Sequence, residues 1–188
     1  LERLASAHPS VAHLVHLGLS VDERPIYGLR ISKANPAKRS VRILGAHHGD
    51  ETSSAEVSLE IAKQWLQNPS AEMSEWLIDH EVWIVPHVNP DGVANLSRYN
   101  ANNVDLNRNY EFQWSDDEFR SGDGPFSEPE TQNIRSLSPW IPAGLGLSVH
   151  SGATNIGWVW NFTEERTQDD VLLEQIASRY ADSCTTDD

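Results

Sequence analysis

Two histidines and two acids follow an apolar run in the stretch ILGAHHGDETSSAEV, residues 43–57. His48 and Glu51 lie three positions apart, so that a tight turn can direct both side chains the same way. Zinc binds imidazole nitrogen and carboxylate oxygen, and a catalytic zinc typically has three protein ligands and one open position. A polar turn between a strand and a helix has the same composition, so H-x-x-E alone is a weak signal. The best candidate for a third ligand is His150, which follows another apolar run.

A segment rich in Asn, Asp and Arg covers residues 88–112 and contains little that could pack in a core. As a plain surface loop it would be unusually long. As part of a site it supplies two guanidinium groups, those of Arg98 and Arg108. Arginine binds carboxylates through paired hydrogen bonds and can stabilise an oxyanion. The segment therefore favours a site over a simple turn.

Six apolar runs predict the strands that would carry these residues: HLVHLGLSV, RPIYGLRIS, SVRILGA, EVWIVPHV, GLGLSVH and IGWVWNF. Most of them are continuously apolar, as expected for strands covered on both faces. Helices are predicted between them. An apolar stripe runs through residues 54–67, a capping box of Ser127 and Glu130 precedes a second helix, and Thr167 with Asp170 begins a third.

Strands that alternate with helices predict an α/β fold with a mixed, largely parallel twisted sheet and helices on both faces. We expect a single domain over residues 1–188. In such folds, sites form at the carboxyl ends of strands. His48, Asn89 and His150 each follow a predicted strand, so we expect them to share one site.

The composition restricts the possible partners. The chain has 28 acidic and 14 basic residues and a formal net charge of -14, which argues against nucleic acid as the main partner. Cys184 is the only cysteine, so no internal disulfide can form. The longest stretch without charged residues, 136–163, is interrupted by prolines and glycines and predicts two buried strands, not a membrane span. Cellular location and oligomeric state stay open.

Five motifs occur in the order HGDE, NPDG, RYNANNVDLNRN, PFSEPET and SVHSGA. Together they resemble the zinc metallocarboxypeptidase family, which has the fold of carboxypeptidase A, over most of the chain from Val41 onward. The segments HSGATNIGWVWN and TQDDVLLEQIASRYA are most similar to the regulatory branch, carboxypeptidases N, E, M and D. The resemblance implies one zinc ion and a peptide or peptide-like substrate with a free carboxylate.

The resemblance also implies individual roles. His48, Glu51 and His150 match the three zinc ligands. Asp105 matches a carboxylate that holds the first ligand histidine. Asn107 and Arg108 match the pair that binds the terminal carboxylate of the substrate, and the remaining arginine of the motif, Arg98, matches the one that polarises the scissile carbonyl.

One part of the family pattern has no match in these 188 residues. The family's general base, a glutamate, lies well after the third zinc ligand, and we expect it beyond Asp188. The start at Leu1 without methionine and the polar end TTDD agree with a chain that is truncated at both ends.

Three functions remain open from the sequence. The first is a zinc-dependent carboxypeptidase that hydrolyses the carboxyl-terminal peptide bond. The second is a murein peptide amidase or an N-acyl amino acid deacylase, because such enzymes share the H-G-x-E and D-L-N-R motifs. The third is an inactive module that binds free carboxyl termini through Asn107 and Arg108.

Overall fold

A computed structural model describes residues 1–137 and 144–184. The chain divides into two compact units, Leu1–Ser151 and Gly152–Asp188. The single-domain organisation therefore stays a prediction. In the described part of the chain, each helix is too short or too polar to span a bilayer.

The first unit contains five helices, five strands and one 3₁₀ turn among its described residues. In chain order they are α1 (Glu2–Ala7), β1 (Ala12–Leu19), β2 (Pro25–Ser32), β3 (Ser40–Leu44), α2 (Thr52–Gln67), α3 (Ala71–Trp76), β4 (Glu81–Val85), α4 (Pro90–Asn95), the 3₁₀ turn Leu106–Arg108, α5 (Pro129–Leu137) and β5 (Leu145–Ser148). The second unit contains α6 (Asp170–Cys184).

The strands form one mixed sheet in the order β1-β2-β4-β3-β5. β1 pairs with β2 and β2 with β4 in antiparallel fashion. β3 lies between β4 and β5 and is parallel to both. The predicted mixed sheet is confirmed, with parallel pairing in the half that carries the site. The carboxyl ends of β3, β4 and β5 meet at one edge, as the sequence predicts for His48, Asn89 and His150.

Helices pack on both faces of the sheet. The side chains of β4 alternate between two hydrophobic cores, one on each face. Val82 and Ile84 belong to a core that contains Ala62 and Leu66 of α2. Trp83 and Val85 belong to another, which contains Ile134 and Leu137 of α5. All five residues of β4 are buried, which explains why its sequence is an uninterrupted apolar run after Glu81.

The predicted strand IGWVWNF does not form. Residues 156–162 contain no helix or strand, and Val159 and Phe162 are exposed. The indole of Trp158 makes a side-chain hydrogen bond, since its Nε1 donates to Asp170 at the start of α6. Arg166 pairs with the same carboxylate. The alternation of the tryptophans in the sequence is typical of a half-buried strand, but this segment pairs with no other strand among the described residues.

The predicted helix after PFSEPET is confirmed, but its two capping residues have other partners. The helix begins at Pro129. Ser127 Oγ donates to the carboxylate of Glu128 and accepts from the side chain of Asn109. The carboxylate of Glu130 accepts from the backbone of Val21 and from Asn100. The two residues thus connect the start of this helix to distant loops.

Candidate metal centre

The turn after β3 is fixed by backbone contacts on both sides. Gly45 N–H donates to Val85 O, and Ala46 N–H donates to Ser54 Oγ in α2. Glu51 is the residue immediately before α2, so its carboxylate lies at the helix N-terminus, where negative charge is favoured. A Cβ atom at Gly49 would lie 1.9 Å from the backbone of Gly92, so the close contact between HGDE and NPDG requires glycine.

The three predicted ligands converge. One ligand atom from each of His48, Glu51 and His150 lies within 4.8 Å of the other two. His48 Nδ1 is 2.7 Å from Glu51 Oε1, and His150 Nδ1 is 3.0 Å from Glu51 Oε2. The two Nδ1 atoms are 3.2 Å apart. Residues from the ends of β3 and β5 therefore form one cluster, as the sequence predicts.

This donor set fits a zinc ion. Two ligand nitrogens at about 2.0–2.1 Å from a tetrahedral ion lie about 3.3 Å apart, close to the 3.2 Å between the two imidazoles. Two imidazoles and one carboxylate leave a fourth position open, as in catalytic zinc sites. His48 is buried, Glu51 is half-buried and His150 is more accessible, so the cluster can be approached from the side of His150.

Asp105 holds His48 from the opposite side of its ring. Its Oδ1 lies 3.1 Å from His48 Nε2 and also accepts the N–H of Asn107 at 3.0 Å. Burial favours the neutral acid, but the contacts with His48 and Arg98 outweigh it and lower the pKa of Asp105 to about 2. An ionised carboxylate on Nε2 leaves Nδ1 of His48 directed at the other donors.

Arg98 joins this carboxylate to the donor cluster. Its Nε and Nη2 lie 3.1 Å and 2.9 Å from Asp105 Oδ2. Its Nη1 is 3.3 Å from His48 Nδ1 and 3.8 Å from Glu51 Oε1. About a third of the side chain is exposed, at 38%. The guanidinium therefore lies beside the donors with one nitrogen directed at them.

Asn107 and Arg108 lie in the 3₁₀ turn that Asp105 caps. Both side chains are exposed. Arg108 Nε is 3.5 Å from a carboxylate oxygen of Glu118. Asn107 and Arg108 are therefore linked to the donor cluster through Asp105, and Arg108 has an acidic neighbour, Glu118, in the following loop.

The comparisons with known proteins agree with this geometry. The sequence profile of the zinc carboxypeptidase family matches residues 1–187. The chain belongs to the zinc carboxypeptidase family. Human carboxypeptidase D is 27% identical over 202 residues, which cover 96% of this chain and 14% of that protein. Carboxypeptidase B of the crayfish Astacus astacus is 26% identical over 98% of this chain and 69% of its own length.

Solved structures show the same fold. Carboxypeptidase A from Helicoverpa armigera has a TM-score of 0.84 and 25% identity, and the match covers 96% of this chain and 50% of that one. The murein-tripeptide amidase MpaA from Escherichia coli O157 has a TM-score of 0.55 and 32% identity, over 73% of this chain and 60% of that one. This chain thus spans half or slightly more of these two structures and a smaller part of carboxypeptidase D.

In this member of the family, His47 occupies a separate environment from His48. Its ring is buried, with Nε2 2.8 Å from the hydroxyl of Tyr110 and Nδ1 3.2 Å from Ser148 Oγ. Burial, together with the neighbouring histidines, lowers the pKa of His47 to about 3, so this ring is neutral. Of the two histidines, it is His48 that lies beside Glu51 and His150, as the spacing to Glu51 predicts.

Three contacts around the cluster of His48, Glu51 and His150 were not predicted from the sequence. Ser148 Oγ lies 3.2 Å from His150 Nε2, and the N–H of Ser151 donates to Glu51 Oε2. Asn89, expected in the site, instead supports it, since its Nδ2 donates to the carbonyl of His47. The sequence contained one usable signal. Ser148 and Ser151 flank His150 in SVHS, where a short polar side chain and a backbone N–H can reach the neighbouring donors.

Proposed function

We propose that this chain carries the metal centre of a zinc-dependent carboxypeptidase that removes the carboxyl-terminal residue of peptides. The observation that carries the proposal is the convergence of His48, Glu51 and His150 within 4.8 Å. Family membership supports the same conclusion. A bound zinc ion would supply Lewis acidity and would acidify a water molecule. Nδ1 of each histidine and the carboxylate of Glu51 would hold it.

Arg98 is proposed to donate to the carbonyl oxygen of the scissile bond as negative charge develops on it. The position of Nη1 beside the donors supports this role. Two bonds to Asp105 fix the other side of the guanidinium, so that little reorganisation is needed when the charge appears.

Asn107 and Arg108 are proposed to bind the terminal carboxylate of the substrate. Both lie exposed on a turn that Asp105 anchors to the metal centre. A guanidinium and an amide together offer several N–H donors to one carboxylate. No residue of this chain is proposed to take the proton from water.

The experiment that tests the proposal compares free and amidated peptides. The full-length protein with zinc is expected to release single amino acids from a peptide with a free carboxyl terminus. The same peptide with an amidated terminus should be cleaved much more slowly, because the negative charge that Arg108 binds is missing. Amino acid analysis of the products measures both rates. Equal cleavage of the two peptides would contradict the role of Asn107 and Arg108.

Replacing Glu118 with glutamine is expected to lower KM for a free-carboxylate peptide. Glu118 lies 3.5 Å from Arg108, where its carboxylate would compete with that of a substrate. Both side chains are well exposed, so the expected decrease in KM is only about twofold to fivefold, with kcat unchanged. Steady-state kinetics at low ionic strength measures it. Glu111→Gln in the same loop is the matched control, and an equal change in both variants would show a general charge effect.

Replacing Asp105 with asparagine is expected to weaken zinc binding by about 10–100-fold. The neutral amide lacks the negative charge with which Asp105 attracts Nε2–H of His48, and Arg98 loses its carboxylate partner. Titration against a metal chelator measures the affinity. The control is Asp79→Asn. Asp79 also contacts a histidine, His80, but it is partly exposed and is not one of the residues around the candidate metal centre. Unchanged zinc affinity in Asp105→Asn would show that Asp105 does not support the metal centre.

A murein peptide amidase is the second candidate. The 32% identity to the Escherichia coli enzyme MpaA favours it, although the TM-score of that match, 0.55, is lower than the 0.84 of the insect carboxypeptidase A. A murein tripeptide and a standard peptide with the same terminal residue separate the two functions. Cleavage of the murein peptide alone would favour the amidase.

A further inference from the structure

A cleft separate from the metal centre lies on the α5 side of the sheet. It has a volume of about 420 Å³. Its floor consists of β2 and β4, which contribute Arg30, Glu81 and Trp83, and β1 contributes Val15 and Leu17 at one side. Exposed residues of the loop after β2 and the end of α5 form its rim. A volume of this size is within the range of small-molecule sites, about 300–1,000 Å³.

Two buried polar atoms at this floor have no partner among the described residues. They are Glu81 Oε1, an acceptor, and Trp83 Nε1, a donor. The side chain of Glu81 is 3% exposed and Trp83 is 6% exposed. Both residues line the cleft, and residues two apart on a strand place their side chains on the same face of the sheet. Leaving buried polar groups unpaired is costly, so a ligand or water is expected to meet them.

The charge at the floor is balanced. Arg30 Nε donates to Glu81 Oε2 at 2.6 Å, and Arg30 Nη2 donates to the carbonyl of Ala34. The ion pair neutralises the carboxylate and leaves one of its oxygens as an acceptor. A charged ligand would gain little from this pair. A neutral group that offers both an N–H donor and an oxygen acceptor matches the two unpaired atoms.

The remaining walls are largely apolar. Val15, Leu17 and Leu137 line the cleft together with the polar residues of its floor. A water molecule occupies about 30 Å³ of liquid, so a few waters could satisfy the two polar atoms and leave most of the volume against apolar walls. An apolar group of a ligand would displace those remaining waters with a favourable free energy, because apolar surface is removed from water.

We propose that this cleft binds a neutral carboxamide of fragment size, whose N–H donates to Glu81 Oε1 and whose oxygen accepts from Trp83 Nε1, with an apolar group against Val15 and Leu17. The site does not include the metal ligands, and it does not depend on the proposed peptidase activity. Its occupant is therefore an additional ligand and not the scissile peptide.

Binding of benzamide to the full-length protein tests the proposal. Nitrogen-15 NMR is expected to show a shift of one indole N–H signal, which Trp83→Phe assigns by removing it. Toluene lacks both polar groups, and benzoate lacks the donor and carries a charge beside Glu81. We expect both to bind at least about fivefold more weakly than benzamide, the effect of losing one hydrogen bond of about 1 kcal/mol. Equal binding of the three compounds, or no binding of benzamide up to its solubility, would overturn the proposal.

Protein variants locate the binding. Glu81→Gln and Trp83→Phe should each weaken benzamide binding by about fivefold, whereas the matched controls Glu60→Gln and Trp65→Phe should leave it unchanged. His150→Ala should also leave it unchanged, and loss of binding in that variant would place benzamide in the metal centre and contradict the inference. Crystals soaked in benzamide give an answer that does not require stable variants. Density for the ligand between Glu81 and Trp83 is expected, and a cleft filled by protein side chains or by water alone would refute the assignment.

Discussion

Zinc is expected to be absent from the purified full-length protein when His150 is replaced with alanine. The variant removes one of three donors, and the two that remain, His48 and Glu51, do not form the three-ligand set of a catalytic zinc site. Because a third of the His150 side chain is exposed, at 32%, its removal should cost little packing. Mass spectrometry of the metal content, normalised to protein concentration, measures the loss. The wild type is expected to contain one zinc ion per chain.

Other histidines provide the controls. His13→Ala, at an exposed position of β1, should retain one zinc ion. His47→Gln should also retain it but should lower the melting temperature, because His47 is buried against Tyr110 and Ser148 and has no ligand role in the proposal. His48→Ala should lose the metal, although burial of this ring makes destabilisation part of its effect. Stoichiometric zinc in both His150→Ala and His48→Ala would remove the ligand assignment.

The proximity of His48 and His150 was predictable, because it follows from parallel strands. β3 and β5 are neighbours in the sheet, and residues just after neighbouring parallel strands must lie near one another. His48 and His150 are therefore brought together by strand order, although they are far apart in the chain. Glu51 follows from the tight turn into α2. These three positions required no knowledge of side-chain packing.

The contacts that support the cluster were harder to predict, because they depend on how separate loops pack. The sequence gives no periodic signal that Tyr110 would reach His47 or that Asn89 would bind the carbonyl of His47. Each contact joins segments that lie more than 40 positions apart. Asp105 and its contact with His48 were predicted only through the resemblance to a known family.

The IGWVWNF segment shows a different limit of sequence analysis. Alternation of Trp158 and Trp160 has the period of a strand, but a strand also needs a neighbour that completes its hydrogen bonds. The structure instead satisfies the indole of Trp158 with Asp170 and leaves Phe162 exposed. Periodicity describes which side chains could share a face. It does not supply the partner strand.

The PFSEPET motif packs against the loop that carries Arg98. A local interpretation predicts a capping box, whereas the structure places two buried glutamates against the loop that carries Arg98. Glu128 accepts from Asn100 and Asn102, and Glu130 accepts from Asn100. Burial raises the pKa of Glu130, although bonds to the carboxylate oppose this. The motif therefore fixes the shape of the loop from which the guanidinium extends.

Replacing Arg98 with alanine is expected to lower kcat by about 10²–10³-fold on a free-carboxylate peptide, the typical effect of removing one oxyanion donor. The guanidinium is held by Asp105 with Nη1 beside the metal donors, so its bond to the substrate should become strong only when the carbonyl oxygen gains charge. Binding of a product-like inhibitor, which lacks that charge, should change much less. Stopped assays of the full-length zinc enzyme measure kcat and KM, and inhibitor titration measures ground-state binding.

Arg120→Ala is the matched control for this variant, because Arg120 stacks on Tyr99 next to Arg98 but is directed away to Asn103. It should retain kcat within about threefold, the range of ordinary surface substitutions of about 0.5 kcal/mol. Zinc content must be measured in both variants, since Arg98 also contacts Asp105. If Arg98→Ala retains zinc and loses activity only through KM, the arginine binds substrate in the ground state and does not stabilise the oxyanion. If kcat falls while zinc and inhibitor binding persist, the charge of Arg98 acts on the transition state, as its position beside His48 and Glu51 predicts.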